Sequence, residues 1–140
     1  MDGGREKNKQ RGELAELKVA AKVSDLGGTV SFPHGDTCGY DLISEMGGVI
    51  KKIQVKCSVR KEGCGYHVNV CQGRSNKRSY TTKECDIVIC SVPFGFYVIP
   101  VSALKTKLTI RLWEPGTNRF WRKNPNCLYE EFREAWHLLK

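Results

Sequence analysis

Two short runs of almost uninterrupted apolar residues, 86–92 and 96–101, constrain the fold of this 140-residue chain more than any other feature. Pro93 and Gly95 stand between them. Short apolar runs bounded by such turn residues are typical of buried strands. We therefore expect two buried strands joined by a short connection.

Five further segments are rich in β-branched or aromatic residues and predict strands. They are residues 29–32, 40–46, 49–59, 66–71 and 108–113. Gly47 and Gly48 separate the second and third of these segments, and glycine tolerates the positive φ that two-residue hairpins require. The sequence therefore places Asp41 and Lys56 on adjacent antiparallel strands, whereas the polar, basic residues 73–84 predict a loop.

Helical periodicity occurs near both ends of the chain. Over residues 10–26, Leu14, Leu17 and Ala21 recur at helical spacing and predict a buried stripe. Residues 128–139 predict a closing amphipathic helix. At 140 residues the chain is expected to form one domain, 1–140, of the α/β class, with a mixed β-sheet, flanking helices and a basic, flexible N-terminus over residues 1–10.

The chain is strongly basic, with 23 Lys and Arg against 15 Asp and Glu and a net charge of +8. Such a surface favours polyanions, namely nucleic acid or anionic lipid. No apolar run approaches the ~20 residues of a membrane helix, and the polar N-terminus lacks the apolar centre of a secretory signal. A cytoplasmic protein is expected. The sequence also lacks the P-loop, Rossmann and HExxH signatures.

Seven cysteines occur without any CxxC pair. In a reducing compartment they are expected to be ordinary free thiols. A zinc site built from Cys57, Cys64, His67 and Cys71 is the alternative, although this spacing does not match the close ligand pairs of structural zinc sites.

Four polar residues stand where packing alone favours apolar ones. Glu13 borders the expected stripe of the first helix, and Asp41 lies among apolar residues of a strand. Gln54 and Lys56 are two residues apart and so share one face of a strand. A hairpin with one solvated face would explain the strand residues alone. Together with Glu13 and the positive charge, the set matches Mg²⁺-assisted phosphodiester cleavage, since Mg²⁺ binds one or two carboxylates and retains waters.

These residues resemble a known nuclease core. Residues 12–16 (GELAE), 40–43 (YDLI) and 53–56 (IQVK) look like the motifs of the PD-(D/E)XK superfamily, closest to its group I intron homing endonuclease branch. In that branch glutamine can replace the second acidic residue. Tyr80, residues 86–89 and residues 97–101 are similar to its later segments. The resemblance implies a restriction-endonuclease-like fold and a DNA endonuclease.

The resemblance also implies roles for the site residues. Asp41 would be the central ligand of Mg²⁺, for which Mn²⁺ would substitute, and the backbone carbonyl of Val55 would complete the inner shell. Glu13 would bind through water or hold a second ion. Lys56 would orient the attacking water or stabilise charge on the phosphate.

Gln54 is the departure from the usual motif, because its amide oxygen carries no formal charge. The catalytic set expected is Glu13, Asp41, Gln54 and Lys56, poorer by one negative charge than a standard site. Glu16, about one turn from Glu13, is the alternative carboxylate if the buried stripe of the helix is rotated.

Three basic clusters flank these residues and are expected to contact DNA phosphates. They comprise Lys51, Lys52, Arg60 and Lys61, then Arg74, Lys77 and Arg78, and finally Arg119, Arg122 and Lys123. One site per chain implies a homodimer or homotetramer for cutting both strands of a duplex. A Holliday-junction resolvase acting on branched DNA and a noncatalytic, zinc-stapled nucleic-acid-binding module are the alternatives.

Overall fold

The computed structural model describes residues 3–35, 38–63, 65–116 and 129–140. Within these ranges it contains a long helix, α1 (Gly3–Asp25), a one-turn helix, α2 (Val101–Leu104), and two 3-10 turns, Glu130–Phe132 and Trp136–Leu139. The ten strands in the same ranges are β1 (Thr29–Ser31), β2 (Leu42–Met46), β3 (Val49–Cys57), β4 (Lys61–Glu62), β5 (Gly65–Asn69), β6 (Cys71–Gln72), β7 (Arg78–Ser79), β8 (Ile87–Val92), β9 (Gly95–Pro100) and β10 (Thr109–Trp113). No helix among the described residues is long and apolar enough to cross a membrane.

The main sheet has five strands in the order β1-β2-β3-β8-β9. The β3–β8 pair is parallel and the other pairs are antiparallel, so the sheet is mixed as expected. The two apolar runs form β8 and β9, which pair from Ile87 opposite Pro100 to Val92 opposite Gly95. The sequence prediction of two buried, adjacent strands is confirmed.

The glycine pair forms the predicted hairpin between β2 and β3. Gly47 and Gly48 have φ values of 57° and 80°, a region that side-chain-bearing residues rarely adopt. The register pairs Met46 with Val49 and Leu42 with Ile53. Because β3 continues to Cys57, its last four residues extend beyond the start of β2.

A different layer covers each face of the main sheet. α1 packs on one face, where Ile53, Val55 and Ile89 form a core with the helix. A second core lies on the other face, where a three-stranded antiparallel sheet in the order β10-β5-β4 packs against Val88 and Cys90. The structure has two cores that share the central sheet, and the site described below lies at the edge between them.

The buried face of α1 differs from the predicted one. Ala15, Val19 and Val23 are 4%, 0% and 0% exposed, whereas Leu14 and Leu17 are 51% and 61% exposed. Both sets have helical spacing, so periodicity alone could not distinguish them. The short side chains of the first set pack in one core with Ile53 and Val55 of β3. The helix also begins at Gly3, seven residues before the predicted start at residue 10.

The predicted closing helix over residues 128–139 is wrong. The described part, residues 129–140, forms two 3-10 turns separated by Glu134 at a φ of 52°. Tertiary hydrogen bonds to β9 compete with a helix here. The Glu134 N–H donates to the Phe96 carbonyl at 2.8 Å, and its carboxylate accepts from the Phe96 N–H at 3.0 Å. The carboxylate also accepts from Trp136 Nε1 at 2.6 Å.

The buried face of α1 can be tested with two substitutions to alanine. Val19→Ala should lower the free energy of unfolding by about 2 kcal/mol, because it removes buried methyl groups. Leu17→Ala should change it by less than about 0.5 kcal/mol, since the leucine is mostly exposed. Urea denaturation of both variants measures the difference. Equal losses of unfolding free energy in the two variants would indicate that the face with the leucines is buried as well.

Candidate active site

The carboxylate of Asp41 lies where β3 extends beyond β2. β2 begins at Leu42, so the backbone N–H of Val55 faces an edge that β2 does not reach. This N–H donates to Asp41 Oδ2 at 2.8 Å. The Asp41 N–H in turn donates to the Ile53 carbonyl at 2.8 Å. The strand offset therefore fixes both the backbone and the carboxylate of Asp41.

The carbonyl of Val55 faces the same edge as its N–H, since both groups of a strand residue project toward the same neighbour. The side-chain amide of Gln54 lies between this carbonyl and Asp41. Its Nε2 donates to Asp41 Oδ2 at 2.7 Å and reaches the Val55 oxygen at 3.5 Å. Because both partners are acceptors, the amide turns its nitrogen toward them. The two oxygens implied as metal ligands are therefore adjacent.

Asp41 is a carboxyl group whose ionisation is opposed by its surroundings. Burial raises its pKa above the usual value, and this effect exceeds the opposing effects of the Val55 N–H, the Lys56 charge and the Gln54 amide. Desolvation disfavours the charged form of an acid. A cation beside Asp41 would offset this cost.

Lys56 lies on the same face of β3 as Gln54, as the strand period predicts. Their partners across the β3–β8 pair are Val88 and Cys90, which belong to the second core. Lys56 Nζ is 5.4 Å from the centroid of the Tyr80 ring. Its charge favours ionisation of Asp41, so the ammonium is close enough to interact with the carboxylate.

The rotated face of α1 decides which helix carboxylate approaches the site. Glu13, Glu16 and Asp41 line one open cleft of about 420 Å³. Glu13 is exposed and Glu16 is half-buried. Burial, followed by the charges of Asp41 and Glu13, raises the pKa of Glu16 from 4.5 to about 7. Glu16, the alternative carboxylate in the sequence analysis, therefore senses the charge of Asp41.

The donors at this edge fit the chemistry of Mg²⁺. Asp41 supplies a carboxylate, Val55 a carbonyl oxygen and Glu16 a second carboxylate across the cleft. Mg²⁺ typically takes one or two protein carboxylates and retains several waters. Among the described residues no group of three His, Cys, Asp or Glu side chains is arranged to hold a metal. The two carboxylates and the carbonyl oxygen are donors that suit a hydrated divalent cation.

The zinc alternative finds no support among the described residues. Cys57, His67 and Cys71 do not form a metal-binding group in the part of the chain that the structure describes. Cys71 is buried as a free thiol, and His67 Nε2 lies 2.8 Å from a Glu62 carboxylate oxygen. Cys64 lies outside the described residues.

Several cations predicted to contact DNA have partners within the protein. Arg60 pairs with Glu62 at 2.9 Å, Lys61 with Glu114 at 3.5 Å and Arg78 with Glu84 at 2.6 Å, while Lys52 Nζ donates to the Lys83 carbonyl at 2.8 Å. Arg74 and Lys77 are exposed and Lys51 is half-buried, and none of the three forms an ion pair with another described residue. Arg119, Arg122 and Lys123 lie outside the described residues.

Comparison with known proteins bears on the identity of the chain. A family model for PD-(D/E)XK endonucleases matches residues 6–137. The chain belongs to the PD-(D/E)XK endonuclease family. Its structure is also similar to that of a bacterial homing endonuclease, I-Ssp6803I, with a TM-score of 0.78 and 29% sequence identity over 93% of this chain and 90% of that chain. No curated protein sequence matches. The nuclease resemblance and the restriction-endonuclease-like fold are thereby confirmed.

Sequence reasoning about this PD-(D/E)XK protein missed the contact between Lys56 and Tyr80. Tyr80 entered only as part of the family resemblance, with no role assigned. The segment 73–84 is otherwise polar and basic, and its single aromatic residue was the available signal. Tyr80 is 9% exposed, which is unusual for a residue in such a segment.

The raised pKa of Glu16 predicts a pH-dependent stability. Its folded-state pKa of about 7 exceeds the usual 4.5, so the folded state binds more protons between these values and loses stability as the pH rises through this window. Glu16→Gln should therefore stabilise the metal-free protein at pH 8. We expect a gain on the order of 1 kcal/mol after allowance for solvent screening, shrinking toward pH 4.5.

Urea denaturation at several pH values measures this difference. Glu6→Gln is the matched control, because Glu6 is an exposed acid on the same helix that does not line this cleft. An equal gain in the free energy of unfolding from both variants, or a gain that does not vary with pH, would contradict the raised pKa of Glu16.

Proposed function

We propose that this protein is a DNA endonuclease that hydrolyses phosphodiester bonds with Mg²⁺, for which Mn²⁺ can substitute, in the manner of a homing endonuclease. One observation carries the proposal: the Asp41 carboxylate, the Val55 carbonyl and the Lys56 ammonium converge where β3 extends beyond β2. Oxygen ligands beside a cationic side chain are the groups that metal-assisted cleavage of a phosphodiester requires.

Each group of the site has a role in this proposal. Asp41 and the Val55 carbonyl would hold the cation, and Glu16 or Glu13 would contact it directly or through water. A bound divalent cation supplies a more acidic water and offsets charge on the phosphate. The Lys56 ammonium would donate to the attacking water or to a phosphate oxygen, where it acts mainly on the transition state.

The basic surface and the structural relative support DNA as the substrate. The net charge of +8 favours a polyanion, and the exposed Arg74 and Lys77 would contact backbone phosphates. The similar solved structure is a homing endonuclease, which favours linear double-stranded DNA over a branched junction. We propose a homodimer or homotetramer, because one site per chain cuts one strand at a time, and a cytoplasmic location.

Cleavage of supercoiled plasmid DNA with Mg²⁺, with Mn²⁺ or with EDTA tests this function. Asp41→Asn and Lys56→Met should each lower the cleavage rate at least about 100-fold, because each removes a charge that acts at the scissile phosphate. Binding to DNA, measured by fluorescence anisotropy in Ca²⁺, should change by less than about threefold. Plasmid substrates should include a cruciform, so that cleavage restricted to junctions would indicate a resolvase.

Asp25→Asn is the matched control for the aspartate variant. Asp25 is exposed at the C-terminal end of α1 and makes the same change of charge outside the proposed site. Its cleavage rate should equal that of the wild type. Wild-type rates for Asp41→Asn or Lys56→Met would remove that residue from the catalytic set.

Gln54→Glu should tighten Mg²⁺ binding without necessarily raising the cleavage rate. The change replaces the amide donor on Asp41 by a carboxylate and restores the missing negative charge. We expect roughly a tenfold lower dissociation constant for Mg²⁺, since an added charged ligand contributes on the order of 1 kcal/mol or more. Isothermal titration calorimetry measures it, with Gln10→Glu on the exposed part of α1 as the charge control. Equal affinities for Gln54→Glu and Gln10→Glu would place residue 54 outside the metal shell.

A further inference from the structure

The ammonium of Lys56 lies over an aromatic ring. Its Nζ lies 5.4 Å from the centroid of Tyr80, and among the described residues it forms no hydrogen bond and no ion pair. A cation within about 6 Å of a ring centroid is attracted by the negative face of the ring. Lys52 provides the contrast, since its Nζ is 5.9 Å from the Tyr40 ring but also donates to the Lys83 carbonyl at 2.8 Å.

Tyr80 is well placed to hold a cation, because its own position is fixed on both sides. The preceding residues form β7, which pairs with β6 through Ser79 opposite Cys71. The following turn is closed by the Glu84 and Cys85 N–H groups, which donate to the Thr81 carbonyl at 3.0 and 3.2 Å. Tyr80 is 9% exposed and belongs to the second core.

Glu84 ties these elements together. Its carboxylate accepts from the Thr81 N–H at 2.9 Å, from Arg78 Nη1 at 2.6 Å and from Gln72 Nε2 at 2.7 Å. One side chain therefore joins β6, β7 and the turn after Tyr80. Glu84 also packs against the segment that precedes Asp41, because a Cβ built on Gly39 would lie only 3.0 Å from the Glu84 Cβ.

We propose that Tyr80 is a positioning residue for the cleavage reaction, and that its ring face holds the Lys56 ammonium toward Asp41 while leaving the N–H groups free for substrate. This inference rests on the proposed function of the site. The Asp41 carboxylate interacts electrostatically with both the Lys56 ammonium and the Tyr80 phenol. All three groups therefore share one electrostatic environment.

An aromatic ring suits the positioning of the Lys56 ammonium better than a second carboxylate would. A carboxylate would neutralise the ammonium and engage its N–H groups, whereas a ring face attracts the charge without accepting a conventional hydrogen bond. Burial raises the pKa of the Tyr80 phenol well above its usual value, so the ring stays neutral wherever DNA is stable. The full charge of Lys56 thus remains available to the phosphate.

Three variants test the inference in single-turnover cleavage, with the protein in saturating excess over DNA and with saturating Mg²⁺. Tyr80→Leu should lower the rate about tenfold, because it removes the ring but keeps an apolar side chain. Tyr80→Phe keeps the ring and should recover most of the rate. Tyr66→Leu is the matched control, since Tyr66 is 8% exposed in the same core and lies against Phe94 at 5.6 Å. Affinities for DNA and Mg²⁺ should stay the same in all three.

The NMR signals of Lys56 provide a readout that does not depend on cleavage. The ring current of Tyr80 should shift the Lys56 Hε signals upfield in the wild type and in Tyr80→Phe, and this shift should vanish in Tyr80→Leu. If Tyr80→Leu does not fold, an unshifted Lys56 in the wild type still overturns the inference, and a shifted one supports it. Wild-type cleavage by Tyr80→Leu also overturns it and leaves the proposed function intact. A wild type that cleaves no DNA overturns the proposed function itself.

Discussion

The hydrogen bond from the Val55 N–H to Asp41 Oδ2 is the constraint on which the site depends. It forms because β3 extends four residues beyond the start of β2, which exposes one backbone edge of a central strand. A longer β2 would pair with Val55 and occupy both its N–H and its carbonyl. From the same residue, the offset therefore provides a donor to the carboxylate and a carbonyl acceptor, which would bind the cation in the proposed function. The helix, the second sheet and the loop around Tyr80 then supply side chains to an edge that already exists.

Local rules recovered much of this architecture from the sequence. Unbroken apolar runs predicted β8 and β9, and the positive φ required at Gly47 and Gly48 predicted the hairpin. The period of two then placed Gln54 and Lys56 on one face, opposite to Val55. Because the hairpin register follows from the turn, the approach of Asp41 to this strand was also predictable. These features depend on residues that are close in sequence or joined by a tight turn.

Features decided by tertiary contacts were not predictable in the same way. Leu14 and Leu17 have the same helical spacing as the residues that α1 buries, so the choice of face depends on the fit of Ala15, Val19 and Val23 against the sheet. The face that α1 buries decides whether Glu13 or Glu16 approaches Asp41. The closing segment fails as a helix for a related reason, because Glu134 bonds to an edge strand 38 residues away in the chain. Local propensity yields to such contacts when they satisfy the backbone groups of an edge strand.

The charge balance of the site explains why neutral groups surround its ionised ones. Burial raises the pKa of both Asp41 and Glu16, so each additional acid would further oppose ionisation of the metal-free protein. Gln54 instead donates to Asp41 and lies near the Val55 carbonyl, which satisfies these oxygens before a cation arrives. Tyr80 likewise holds Lys56 without adding a negative charge. In the proposed function, a cation held by Asp41 Oδ2 and the Val55 carbonyl would displace the amide of Gln54, so the glutamine would stabilise the metal-free site and weaken metal binding through the same hydrogen bond.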